Sequence, residues 1–564
     1  MKKIMKLFLI SILSMTIQGS SLHLEDHITD NDKETITFDL LSTGKPVKNI
    51  FSDINVWDFR SDWTYKSDDH PSDYFFKNYP FVKRVQFMTA TGGNAERDLF
   101  ISPDNRSVLS DYKFDELIEA LHNVTKQGLI PMIKTGAVPL KYSVDAEIRV
   151  FGVNVKPPYD YDIYYNYINA LANKIVTEFG INEVKDWVWG VLTEYENKDW
   201  YSFNDNPELT KVAFFKLYDY TVAALEDVIG KENLIVGAHG MVCNEGLWDE
   251  LEFIDHVAKG TNYKTGEIGT KIDFLAASFY DLTPGVSVKG NLDITNTIEV
   301  LRNRAIMNGL TDLKYGIDEG RILNGPNGRP LLSRIVAHSF QAAADARLFK
   351  TMNNIGADWF TTWGLSTQRF WGGVTSVGTH IARLTYKMVG EQELLQTSAF
   401  NVPVNSNEID GMATYNDTAN TMHVMIYNYN KDINDKTTVN QHIKVENIQP
   451  LKGSEVIIRQ WLVDDKHGNY WPSWHSDMKS RGITDDSFHG NWSSWSVEAP
   501  LGLINQEDRE FWYSNEAKYK ELATLEVITT KQEIKNNMLL LSVELDHHGV
   551  VFYEIENVKP IQKN

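Results

Sequence analysis

The sequence predicts an α/β chain, a (β/α)₈ TIM barrel with a C-terminal β-sandwich domain. Three observations predict it. Between about residues 46 and 390, short apolar runs alternate with amphipathic stretches of helical period. Eight of these runs read as strands, the number that closes a barrel. Beyond about residue 390 the helical period gives way to strand runs.

The barrel strands are expected at 54–59, 84–89, 129–134, 187–193, 234–238, 274–279, 314–317 and 359–362. The helices between them include 114–124, 164–179, 212–229, 294–307 and 332–352, each with apolar residues at helical spacing. An open doubly wound sheet would show the same alternation, but no Gly-rich phosphate loop follows a strand. In the C-terminal part, 421–428, 455–461, 539–543 and 550–555 read as sandwich strands, with a helical period only near 515–522. An early strand at 34–40 precedes the barrel and is expected to join the sandwich. The division is therefore 1–20, 21–45, 46–390 and 391–564.

The formal net charge is −21 and no basic run occurs, which argues against a nucleic-acid partner. Aromatic residues make up 12% of the chain, with 15 Trp and 25 Tyr. That suits a large aromatic core and equally suits flat apolar surfaces such as sugar rings. Lys2, Lys3 and Lys6 precede an apolar run at 7–13, followed by the small residues Gly19, Ser20 and Ser21. This is the pattern of a secretory signal peptide, and the run is too short to span a membrane. Cys243 is the single cysteine, so no intrachain disulfide can form. Export without disulfides fits a bacterial periplasm or the outside medium. The oligomeric state is left open.

Two carboxylates draw the eye. Glu194 follows the apolar run of strand four, and Glu319 follows that of strand seven. A carboxylate at the carboxyl end of a barrel strand is costly as structure and useful as chemistry. Strands four and seven lie across the barrel mouth from one another. Retaining glycosidases need two carboxyl groups about 5–5.5 Å apart, one as acid/base and one as nucleophile. Glu196 lies two residues on and would share the side of Glu194 on an extended backbone. Glu194 is preferred because it comes first after the apolar run. Asp318 should point away from Glu319 as a structural or supporting group.

Around the mouth, Tyr280 ends strand six, where a phenol can hydrogen-bond a nucleophilic carboxylate. Trp363 follows strand eight and is a candidate floor for a sugar. Trp57 and His239 follow strands one and five, His239 as a polar substrate contact or a core histidine. No metal-ligating His-Glu-x-x-His, paired Cys, Walker loop or Gly-x-Ser-x-Gly occurs, so no cofactor is expected.

With these residues in place, the chain resembles the clan of retaining glycosidases that carry two glutamates on strands four and seven, and within it glycoside hydrolase family 39. That family includes β-xylosidases, α-L-iduronidases and bacterial exopolysaccharide glycosidases. The resemblance covers barrel and sandwich. It implies Glu194 as acid/base, Glu319 as nucleophile and Tyr280 as the strand-six tyrosine. Phe370-Trp371-Gly372-Gly373 resembles a Gly-Gly motif of the family, and Tyr427-Asn428-Tyr429-Asn430 a sandwich strand. Asp464-Asp465-Lys466-His467-Gly468-Asn469-Tyr470 with Trp474 resembles its Asp-x-x-His-Ser-Asn loop.

The departure lies beside the acid/base. Thr193 and Tyr195 stand where the family has Asn and Pro around that glutamate. The Asn implies a contact to the sugar 2-hydroxyl, and Thr cannot donate through an amide. Either another residue replaces that contact or the substrate lacks an ordinary 2-hydroxyl, and the second reading points to a polysaccharide or oligosaccharide with a modified sugar: sulfated, anhydro or uronic. Arg97, Arg321 and Arg369 fall on loops at the same barrel end and could bind an anion. A plain β-xylosidase, or a carbohydrate-binding barrel without catalysis, is the alternative.

Overall fold

A computed structural model of the protein describes residues 35–56, 79–279, 293–320, 339–362, 374–398, 407–432, 435–482 and 506–562. Strand β1 (Thr35–Asp39) precedes the barrel. Strands β2 (Asp53–Val56), β3 (Arg84–Phe87), β4 (Ile130–Thr135), β5 (Val188–Val191), β6 (Ile235–Val242), β7 (Phe274–Phe279), β8 (Lys314–Gly320) and β9 (Trp359–Thr362) form one parallel sheet in chain order. The last strand returns to the start, where the Phe360 amide donates to the Ile50 carbonyl at 2.7 Å. Helices on the outside and packing inside bury both strand faces, so the strands read as continuous apolar runs.

Short polar residues start the helices. Asp160, Asn206, Asp293 and Ser376 each accept a backbone N–H from the first turn of the helix that follows. Met132, Val188, Phe274, Ala276 and Trp359 pack together as one buried cluster of the barrel. Gly316 is needed there, because a Cβ would lie 2.2 Å from the Trp359 indole. Gln86 donates to Asp53 on β2, Asp318 on β8 and Thr361 on β9, tying the closing strands together.

The C-terminal region packs two sheets. Strands β10 (Gln392–Leu394), β11 (Gln396–Ser398), β12 (Glu408–Asn416), β13 (Thr421–Tyr429), β14 (Val439–Glu446), β15 (Ile448–Pro450), β16 (Glu455–Val463), β17 (Ile528–Glu533), β18 (Met538–Leu545), β19 (Val550–Glu556) and β20 (Val558–Pro560) contribute. One sheet runs β11-β1-β14-β18 and the other β10-β12-β13-β19-β16-β17, while β15 and β20 pair separately as a two-stranded ribbon. Strand β1 pairs in parallel with β14, so residues ahead of the barrel complete a C-terminal sheet. Ile36, Phe38, Ile443, Val424 and Leu539 lie in the core between the sheets. The barrel helix Phe340–Asn354 packs on β13. Arg347 pairs with Glu408 at 2.7 Å and Lys350 with Asp410 at 2.6 Å across that junction.

Two helices lie between the sandwich strands, one over the helical period expected near 515–522 and one at 471–480 that the sequence did not announce. Trp471–Ser480 and Gln506–Leu522 pack together through Trp474, Trp512 and Tyr519, with the Trp474 and Trp512 rings 4.9 Å apart. Their contact face is aromatic rather than aliphatic, which hides the helical stripe of Trp471–Ser480 in the sequence. The loop before them is held by Asp464, which accepts the Lys466 and His467 amides at 2.7 and 2.9 Å. Asn469 then donates to Ser339 Oγ at 2.9 Å, joining loop to barrel. Among the described residues, no helix is long and apolar enough to cross a membrane.

Candidate active site

Strand β5 ends at Val191, and the chain then turns sharply. Leu192 and Glu194 hold left-handed φ values of 65° and 46°, a region costly for residues with a Cβ. The turn aims Glu194 inward, where it is only 5% exposed. Its Oε1 accepts from Ser278 Oγ at 2.6 Å and its Oε2 from Asn197 Nδ2 at 2.7 Å. Glu319 lies inside β8 and is 7% exposed. Pairing of β8 with both neighbours shifts register around Asp318 and Glu319, so simple alternation fails there.

The two carboxyls sense one another. Burial first, and the Glu319 charge second, raise the Glu194 pKa to about 7, against the opposing Ser278 and Asn197 hydrogen bonds and the Lys134 charge. A carboxyl that keeps its proton near neutrality beside a second buried carboxyl suits acid/base and nucleophile roles.

Beneath them lies a buried polar chain. Lys134 on β4 pairs with Asp318 Oδ2 at 3.1 Å, both side chains fully buried. Trp359 Nε1 donates to Asp318 Oδ1 at 2.7 Å. Burial would raise the Asp318 pKa, but Lys134 and the Trp359 N–H hold it below the ordinary value. Lys134 Nζ also lies 3.0 Å from His239 Nδ1, and His239 Nε2 lies 2.9 Å from Ser278 Oγ. Burial, then the Lys134 charge, push the His239 pKa well below its usual value, so the ring is neutral. Strand β6 runs further than expected and places His239 within it, 1% exposed. His239 is therefore a core histidine with protein groups at both ring nitrogens.

Glu196 does not share the side of Glu194, because the left-handed turn breaks the alternation. Fully buried, its Oε1 accepts the Met241 and Val242 amides at 2.8 and 3.0 Å, where β6 bulges. Burial and the neighbouring Glu250 raise its pKa to about 8. The unfolded carboxyl ionises from about 4.5, so Glu196 costs folding stability progressively as pH rises from about 4.5 to about 8. Glu196→Gln should keep both acceptor bonds, stay within about 1 kcal/mol of the parent at pH 7 and flatten that pH dependence in thermal melts. Glu196→Ala should lose at least about 2 kcal/mol by orphaning two buried amides.

Thr193 is 1% exposed, and its buried hydroxyl has no hydrogen bond among the described residues. Arg97 is buried and donates to the Gly152 carbonyl. The Cys243 thiol is kept neutral by burial and by Glu194, Glu196 and Glu319. Trp57, Tyr280, Trp363, Arg321, Arg369 and the segment 370–373 lie outside the described residues, as does the signal segment 1–20. Lys134, Ser278 and Asn197 were not read as site residues. Lys134, an ammonium closing an apolar strand, carried a usable signal, whereas Ser278 and Asn197 carried none.

The family model for glycosyl hydrolases family 39 matches residues 97–489 of the 564. The chain belongs to family 39. A β-xylosidase from Caldicellulosiruptor saccharolyticus is 24% identical over 195 residues, 34% of this chain and 36% of that protein. An α-L-iduronidase from Mus musculus is 24% identical over 170 residues, 29% of this chain and 24% of its own length. These alignments thus span about a third or less of the curated relatives. The crystal structure of a monomeric β-xylosidase from Caulobacter crescentus CB15 superposes with a TM-score of 0.63 at 14% identity, covering 93% of this chain and 99% of that one. The family 39 enzyme from Xanthomonas axonopodis pv. citri gives 0.64 at 12% identity, covering 93% and 97%. The shared barrel and sandwich are thus the family 39 architecture; Glu319 lies on β8, the seventh barrel strand, and Glu194 on the turn that follows β5, the fourth.

Proposed function

We propose that the protein is a retaining glycoside hydrolase acting on a polysaccharide or its oligosaccharides. Glu319 attacks the anomeric carbon while Glu194 gives its proton to the departing oxygen. Glu194 then takes a proton from water, which displaces Glu319 from the glycosyl-enzyme. The observation that carries this reading is the pair of buried, mutually sensed carboxyls at strands four and seven. Glu194, raised to about 7, titrates near neutrality, as the acid must.

The sugar is proposed to be a modified one: sulfated, anhydro or uronic. The support is Thr193, whose buried hydroxyl replaces the amide expected beside the acid/base. The export signal read at residues 1–20 fits a substrate met outside the cytoplasm. The test is sugar release from a panel of aryl glycosides and glycans that includes plain xylosides beside uronic, anhydro and sulfated sugars. Release from modified but not plain members is expected. Release from plain xylosides alone would overturn the modified-sugar reading, and binding with no release anywhere would make the protein a carbohydrate-binding barrel.

A further inference from the structure

The side chains beneath Glu194 run in one direction only. Lys134, ion-paired with Asp318, is an ammonium and has donors but no acceptor. The atom it meets, His239 Nδ1, must therefore present a lone pair. A neutral imidazole with a bare Nδ1 carries its hydrogen on Nε2. That hydrogen points at Ser278 Oγ, which can accept it only by turning its own hydrogen onward, and the next atom is Glu194 Oε1.

We propose that Lys134, His239 and Ser278 form a one-way chain of hydrogen-bond donors that orients Glu194 and favours its carboxylate form. Because Lys134 also grips Asp318, next to Glu319, the same ammonium couples the strands carrying both glutamates. These three are positioning residues, and the proposal rests on the roles given above to Glu194 and Glu319.

The chain gives the acid/base a counterweight. Among the described residues, groups around Glu194 are Glu319 on β8, Lys134 on β4, His239 on β6, Ser278 on β7, and Asn197 and Cys243 on the loops after β5 and β6. Burial and Glu319 push its proton affinity up, and the donors pull it back. Without the pull, Glu194 would hold its proton too firmly to release it to the leaving oxygen and would be a poorer acid at its working pH.

Ser278→Ala removes the terminal donor with little change of volume. On any substrate the parent cleaves, the alkaline limb of its kcat/KM profile should move up by about one pH unit, since losing a donor to the carboxylate favours the acid form. The KM should change less than kcat. His239→Gln, which can accept from Lys134 and donate to Ser278, should leave the limb near its parental position. A folded Ser278→Ala protein whose limb does not move, or moves down, would overturn the chain. A second reading needs no turnover: ¹⁵N-histidine NMR, with His239→Gln to assign the signal, should find His239 neutral and protonated on Nε2 at pH 6. An Nδ1–H tautomer or an imidazolium there would also overturn the chain. If the parent cleaves no glycan, the glycosidase reading fails while the NMR result still decides the direction of the donors.

Discussion

Glu319→Ala is expected to fold and to lose hydrolysis by roughly four orders of magnitude or more, about 5 kcal/mol of transition-state stabilisation. The size follows from the role: the glycosyl-enzyme forms on this carboxylate, and water attacking directly would need both a base and the right face of the sugar. The folded state should survive, because the substitution removes one of two buried carboxyls that repel each other. Thermal melts at or above the parent's midpoint are therefore expected alongside the lost activity. Azide should restore turnover by entering the space left by the carboxylate, and the glycosyl azide should have the anomeric configuration opposite to the substrate. Near-parental hydrolysis by the folded variant, or an azide product of retained configuration, would remove Glu319 from the nucleophile role.

The pair was legible because carboxylates interrupting apolar strands are rare and costly, and strand count alone placed them across the barrel. The choice between Glu194 and Glu196 could not come from alternation. A left-handed turn at Leu192 and Glu194, which no glycine or asparagine advertises, sends the two side chains apart. Glu196, turned away, became the acceptor for a bulge in β6 that periodicity cannot show. The core below the site was harder still. Ser278 reads as a small residue in the strand Phe274–Phe279, and its meaning comes only from His239 39 residues earlier in the chain. Lys134 was the exception, since a lysine completing a buried strand demands a partner, yet the sequence cannot say that Asp318 is that partner. The same limit hid the helix Trp471–Ser480, whose contacts are aromatic and close on a helix 26 residues further along the chain.

Glu194→Gln should show a different failure, and the difference identifies the acid/base. Gln preserves shape and can keep one carboxyl-like acceptor for Ser278, so the fold and substrate binding should persist. The proton is gone, and substrates with poor leaving groups should be cleaved about 10²–10⁴-fold more slowly. Dinitrophenyl glycosides, whose leaving group needs no proton, should still form the glycosyl-enzyme, and a burst of dinitrophenolate should precede a slow steady state because water now lacks its base. Azide needs no base either. It should restore the steady state and yield a glycosyl azide of retained configuration, the reverse of the product expected from Glu319→Ala. The pH profile completes the distinction. In the parent the acid form of Glu194 is required, so kcat/KM should fall as pH rises through about 7, where burial and Glu319 have placed its titration. Because the two carboxyls interact, that limb belongs to the pair rather than to either residue alone. Glu194→Gln has no proton to lose there, and its alkaline limb should vanish. A variant that keeps the limb near pH 7 would show that another group supplies the proton, and Glu196, raised to about 8 by burial and Glu250, would be the first to replace in turn.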